Sequence, residues 1–291
     1  MEKFRAYADS HTGINLFVPA FVNQKLSPLI LLLHIILGSI LLLVRIPILM
    51  ILFLLLKILN TLKIDSLNQL IGKLMLVTCG FFSIENQIPI QDKGGQLILS
   101  NHSSPIDWIF FLAQSSPNFA TFVESGDQIR YQILSLNQVI KNIFQINIAQ
   151  TGTGLELNDI IFQNKPTLLF FEGCQTNQLG VLSPPIQMIA ELQKLAQSIN
   201  IYVLTYSDRS IFTPINTTRN GFWHFLLMLT NIWNNLRVVS QEFETSKDYL
   251  KLITNFYECE GLKIIKQKYT VQTDFLAYYW RTSKGNYIKQ D

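Results

Sequence analysis

The chain is short of cysteine and of charge. Cys79, Cys174 and Cys259 are the only three cysteines in 291 residues, an odd number without paired spacing. This argues against a disulfide framework and against a zinc cluster, and it favours a reducing compartment. Charged residues make up 15% of the chain and the net charge is +3. No arginine-rich stripe stands out, so a nucleic acid is not an expected partner. Internal repeats and low-complexity tracts are also missing. The pair Gly152 and Gly154 lacks the longer dinucleotide fingerprint and reads as a flexible turn. Residues 1–26 are polar and mixed in charge, unlike a secretory signal, and Glu2 and Asp9 set them apart from an acid-poor transit peptide.

What the chain does have is apolar length. Hydrophobic residues reach 48%, and from Pro28 to Leu56 they are interrupted only by His34, Ser39 and Arg45. As one helix this run would extend roughly 44 Å, against a hydrocarbon core of about 30 Å. Arg45 is costly at a bilayer centre and Pro47 disfavours an unbroken helix. Two arrangements therefore stand, a single span over roughly residues 28–44 or a shallow hairpin bending near Arg45 to Pro47. Lys25 before the run and Lys57, Lys63 and Lys73 after it weakly favour both ends on one side. Ser66 to Ile84 reads as an amphipathic helix suited to a membrane interface. Four parts are expected: a polar segment 1–26, a span or hairpin 27–64, a domain 65–245 and an extension 246–291.

Short β-prone runs alternate with helical or loop stretches: Gln96 to Ser100, Ile143 to Ala149, Thr167 to Phe171 and Ile201 to Tyr206. That alternation implies an α/β domain with a central sheet. Phe222 to Trp233 is apolar and aromatic but too short to span a bilayer, so it suits a core helix or a membrane surface. Lys263, Lys266, Lys268, Arg281 and Lys284 mix with Tyr278, Tyr279 and Trp280 near the end, which suits a solvated tail, a membrane surface or a partner.

Two stretches carry chemistry. In Ser100-Asn101-His102-Ser103-Ser104-Pro105-Ile106-Asp107-Trp108, a histidine and an aspartate sit five positions apart just after a strand. They would not share a helix face, but they converge if His102 lies in a loop and Asp107 in the first turn of a helix. Ser104 suits the N-cap and Pro105 the first helical position. An imidazole takes a proton from a hydroxyl near neutral pH, and a carboxylate fixes its tautomer. The same residues also suit a plain capping box between Ser104 and Asp107 with His102 idle. The second stretch, Phe170-Phe171-Glu172-Gly173-Cys174-Gln175-Thr176-Asn177, puts a carboxylate, a glycine and small polar side chains at a strand end. It suits either a polar head group or an ordinary turn. No local feature lowers the Cys174 pKa, so packing is the preferred role.

Together these residues resemble the phospholipid and glycerol acyltransferase family. Its first signature, a His, four residues, then Asp, matches Asn101 to Asp107, and its Phe-Pro-Glu-Gly-Thr signature is similar to Phe170 to Cys174. Gln175-Thr176-Asn177 resembles the Cys-Thr-Asn of the lysophosphatidylcholine and glycerol-3-phosphate acyltransferase branch. Thr176-Asn177 with Gly180-Val181-Leu182 is similar to ancient ubiquitous protein, a lipid-droplet relative. The resemblance covers roughly residues 28–245. It implies an α/β fold with a mixed central sheet flanked by helices, behind a membrane-embedded N-terminal helix or hairpin. It also implies a membrane-bound enzyme that moves a fatty acyl group from acyl-CoA to a glycerol-phosphate or lysophospholipid hydroxyl.

In that reading His102 is the general base and Asp107 orients it, while Asn101, Ser103, Glu172, Gly173, Cys174 and Thr176 contact substrate. No metal and no bound cofactor are implied; acyl-CoA is a co-substrate and membrane lipids are partners. The membrane would be that of the endoplasmic reticulum or a lipid droplet, with a mitochondrial membrane as a further option. Some positions depart from the family pattern. Gln150 stands nearest to where an Arg is usual, Phe171 replaces Pro, Cys174 replaces Thr, and the Pro near Ile201 to Tyr206 is absent. Loss of an Arg removes a bidentate phosphate contact. The alternative is therefore a degenerate, inactive domain serving as a lipid-binding or structural subunit of a membrane protein complex.

Overall fold

A computed structural model describes residues 2–19, 27–62, 64–86, 94–125, 128–144, 154–161, 164–195, 198–207, 212–218, 220–244 and 248–287. The apolar run forms one unbroken helix, α1 (Pro28–Thr61), with Ser27 capping it through a bond from the Ile30 N–H at 3.3 Å. The expected hairpin is not formed, because the chain stays helical through Pro47. Arg45 explains why no bend is needed. It lies on a buried stripe with His34, Gly38, Leu49, Leu52 and Leu56, at the three- and four-residue intervals of one helix face. Its guanidinium donates to the Leu229 carbonyl at 2.7 Å and also to the Asn231 carbonyl. The charge is thus met by protein dipoles at the end of another helix.

The next helix, α2 (Asp65–Thr78), is amphipathic as expected but stops short of Ile84, which opens a strand instead. It buries Ile71, Gly72, Met75 and Leu76 and exposes Leu67, Leu70, Leu74 and Val77. The chain continues through β1 (Ile84–Asn86), β2 (Leu97–Ser100), α3 (Ile106–Gln114), β3 (Asn118–Ser125), β4 (Gln128–Ile133), α4 (Leu136–Ile143) and α5 (Leu157–Ile161). There follow β5 (Thr167–Phe170), β6 (Gly180–Leu182), α6 (Ile186–Leu192), β7 (Ile199–Tyr206), α7 (Gly221–Leu229), β8 (Leu236–Phe243), α8 (Tyr249–Cys259), β9 (Lys263–Ile265) and α9 (Val271–Tyr287).

Seven strands build a mixed sheet in the order β1-β8-β7-β2-β5-β3-β4, flanked by helices. Its pairs are parallel except β7 with β8 and β3 with β4. A separate parallel pair joins β6 to β9. The period-two alternation of strand side chains divides the core. Ile98, Leu168, Phe170, Tyr202 and Leu204 face the helices α1, α2, α3 and α7. Leu97, Leu99, Leu169, Ile199, Ile201 and Val203 face α5, α6 and α8.

Two sequence readings change. The run Ile143 to Ala149 is not a strand where it is described, since Ile143 closes α4 and Phe144 caps it; residues 145–149 lie outside the described set, as do Gln150 and Gly152. A capping box decides this, with the Ser135 N–H donating to the Gln138 side chain at 2.8 Å, so that Val139 and Ile143 share one buried helix face. The terminal segments are built into the domain. Tyr249, Ile253 and Tyr257 of α8 join the core, while Leu16 and Phe17 pack with Phe275 of α9. The apolar aromatic run is in part a core helix. In α7, Phe225 and Met228 are buried, whereas Phe222 and Trp223 are exposed, as are Ile232 and Trp233 beyond it.

The crossing of α2 and α3 rests on Gly72. A Cβ there would lie 2.7 Å from the Ala113 backbone nitrogen, so the two helices touch only because the side chain is missing. Gly72→Val should destabilise the fold by ~3 kcal/mol, the upper end of the usual overpacking cost. Thermal unfolding in detergent checks this, and an unchanged midpoint would refute the contact.

Candidate active site

Strand direction brings the two sequence motifs together. Because β7, β2 and β5 run parallel, their C-terminal ends lie at one edge of the sheet. The loop after β2 carries His102, the turn after β5 carries Glu172, and β7 ends at Tyr206. This is the edge where open α/β sheets gather their functional side chains.

Asp107 joins the pieces. Its Oδ2 accepts from His102 Nδ1 at 2.9 Å and from the backbone N–H groups of Ser103 at 2.8 Å and Ser104 at 2.9 Å. Its Oδ1 accepts from the Tyr206 hydroxyl. The helix starts one residue later than expected, at Ile106, while the Ser104 hydroxyl still accepts from the Ile106 N–H at 3.2 Å. Capping and orienting are therefore not alternatives, since one carboxylate does both. A bond from Nδ1–H to Asp107 leaves the lone pair of a neutral imidazole on Nε2, the arrangement a general base requires.

The surroundings of His102 are closed. The ring is 1% exposed, stacks on Phe170 with centroids 4.4 Å apart and meets Trp108 edge-on. Its Nε2 lies 3.3 Å from the Gln175 side-chain nitrogen. A cavity of about 380 Å³ between β8 and α8 and another of about 290 Å³ beside β4 are lined by neither His102 nor Asp107.

The remaining residues of the two motifs bind the chain to itself. The Asn101 side chain pairs both ways with the Leu204 backbone, at 2.9 and 2.8 Å, extending the β2–β7 ladder past the strand. The Ser103 hydroxyl accepts from Gln178 at 3.0 Å. Glu172 is buried and accepts from the His102 N–H at 2.6 Å and the Leu182 N–H at 3.0 Å, while the Thr176 N–H donates to the His102 carbonyl at 2.9 Å. Gly173 has φ +69°, and a Cβ there would press on Phe122 at 3.0 Å and Tyr269 at 3.2 Å. Cys174 is buried against Leu16, Phe17 and Phe275, and burial holds its thiol well above the usual range, so no thiolate is offered.

Tyr206 was not among the sequence candidates. It ends an expected strand, but nothing local signals that its hydroxyl reaches a carboxylate so distant in the chain. Burial and the neighbouring Asp107 charge push the phenol well above its ordinary value, so it stays a donor.

Burial raises Glu172 from 4.5 to about 8, against the pull of the His102 and Leu182 N–H groups. Between about pH 4.5 and 8 the folded protein retains this proton while the unfolded chain has released it, so stability falls as pH rises. Glu172→Gln should flatten that part of the stability profile. Melting temperatures of both proteins across this range check it; a variant that keeps the original slope would refute the assignment.

No family model matches the chain, and no curated protein matches it by sequence. Among solved structures it is similar to the crystal structure of the 1-acyl-sn-glycerophosphate (LPA) acyltransferase, PlsC, from Thermotoga maritima. That likeness has a TM-score of 0.46 at 10% identity and covers 77% of this chain and 95% of that one.

Proposed function

We propose that the protein is a membrane-bound acyltransferase that moves a fatty acyl group from acyl-CoA to a glycerol-phosphate or lysophospholipid hydroxyl. The observation that carries this reading is the His102–Asp107 pair, with its tautomer set by a carboxylate that is itself held by Tyr206 and two backbone N–H groups. In the proposed step His102 Nε2 takes the proton of the acceptor hydroxyl as that oxygen attacks the thioester carbonyl. The tetrahedral adduct then collapses, the carbon–sulfur bond breaks, and the coenzyme A thiolate leaves and recovers the proton from the imidazolium. Asp107 stabilises the cation in between.

The surface supports a lipid environment. Outside its buried stripe α1 exposes leucine and isoleucine along most of its length, and α2 adds Leu67, Leu70, Leu74 and Val77. Phe82, Trp223 and Trp233 are exposed as well. An apolar area of this extent is unusual on a soluble monomer, and tryptophan favours the boundary between lipid and water.

One observation favours a second reading, a degenerate domain acting as a lipid-binding or structural subunit of a membrane assembly. His102 is buried with both ring nitrogens engaged, as a purely structural histidine would be.

Purified protein in detergent, given labelled acyl-CoA with a panel of lysolipids and glycerol-3-phosphate, separates the two. In the enzyme reading His102→Ala should lower turnover by about 10²- to 10⁴-fold, the usual contribution of a general base, and Asp107→Ala should lower it too. Equal labelling by His102→Ala and the unmodified protein would overturn the catalytic assignment. No product from any acceptor, together with stable co-purification of other membrane proteins, would establish the second reading.

A further inference from the structure

The loop that follows Glu172 places an amide where a substrate hydroxyl would have to sit. With Nδ1–H given to Asp107, the Nε2 lone pair of a neutral His102 can only accept. The group facing it at 3.3 Å is the side-chain nitrogen of Gln175, a residue 0% exposed. That orientation of the amide satisfies the imidazole and leaves the Gln175 side-chain oxygen buried without a partner among the described residues. An unmet buried carbonyl is unfavourable, and the bond that offsets it is long at 3.3 Å. The closed position is therefore shallow.

We infer that the Gln175 side chain is a gate on His102: it holds the Nε2 lone pair and excludes other molecules, and an acceptor hydroxyl must displace it. The role of the hydroxyl rests on the acyl-transfer reading; the gate itself does not. Opening is a rotation of the side chain and not a lifting of the loop, because the backbone is pinned on both sides. The Gln175 carbonyl accepts from Gln272 of α9 at 2.9 Å, and the Asn177 N–H donates to the Leu16 carbonyl at 3.0 Å. The His102 ring itself stacks on Phe170 and meets Trp108 edge-on, apolar surroundings that admit a neutral hydroxyl more readily than a charged group. Gln175 is thus a positioning residue that acts through His102.

Two readouts test this without any acyl acceptor, so their failure is distinct from failure of the transfer assay. The first is carbethoxylation of histidines by diethyl pyrocarbonate, followed by mass spectrometry on the full chain in detergent, with exposed His11 as the internal reference. His102 should react slowly in the unmodified protein and at least about fivefold faster in Gln175→Ala, the equivalent of releasing one hydrogen bond. A His102 that reacts as fast as His11 in the unmodified protein, or no faster in the variant, would overturn the gate. The second uses Gln175→Met, which keeps the length but carries no donor, and so serves if the alanine variant fails to fold. In ¹⁵N-histidine spectra the His102 Nε2 resonance should move toward that of a free lone pair; an unmoved resonance would overturn the gate.

Discussion

A fully buried carboxylate is tolerated in a protein only when donors surround it, and the motif region is arranged to surround Asp107. The loop after β2 turns two successive N–H groups toward it, His102 adds a ring N–H, and β7 ends with the Tyr206 hydroxyl aimed at the remaining oxygen. Each donor is fixed by something else. The Asn101 side chain keeps β2 and β7 in register beyond their backbone ladder, and Gln178 bonds both Ser103 and the Leu204 carbonyl. The carboxylate therefore sets the start of α3, the tautomer of His102 and the position of the β7 end together.

Glu172 performs a similar task one strand away, under opposite electrostatics. It meets two backbone N–H groups instead of four donors, and burial raises it to about 8, so near neutral pH it is largely a neutral acid. Two buried carboxyl groups close together are easier to accommodate when one is protonated. The arrangement uses Glu172 to tie the second motif to the backbone of the first.

Much of this was legible in the sequence. The apolar alternation in Gln96 to Ser100, Thr167 to Phe171 and Ile201 to Tyr206 marked three central strands, and the capping residues around Ser104 marked the turn that brings Asp107 back to His102. Other features were hidden by competing local signals. The Ser135–Gln138 capping box starts a helix that takes in Ile143, the first residue of a run that read as a strand. The strands β3, β4 and β8 carry polar residues that blur their alternation. Pro47 read as a break because a proline removes one helical bond, yet packing along the whole buried stripe and the carbonyls that meet Arg45 keep the helix continuous.

The sequence alone determined the apolar helix, the alternating strands and a His–Asp spacing that suits a loop followed by a helix, because each depends on residues close together in the chain. Only the tertiary structure decided what those residues face. Tyr206 reaches Asp107, Gln175 closes on His102, and the two terminal segments cover the second motif, each through contacts between distant parts of the chain. Strand order and direction set these contacts. A sequence pattern shows which face of an element is apolar, whereas the neighbour that covers it follows from how the whole sheet is assembled.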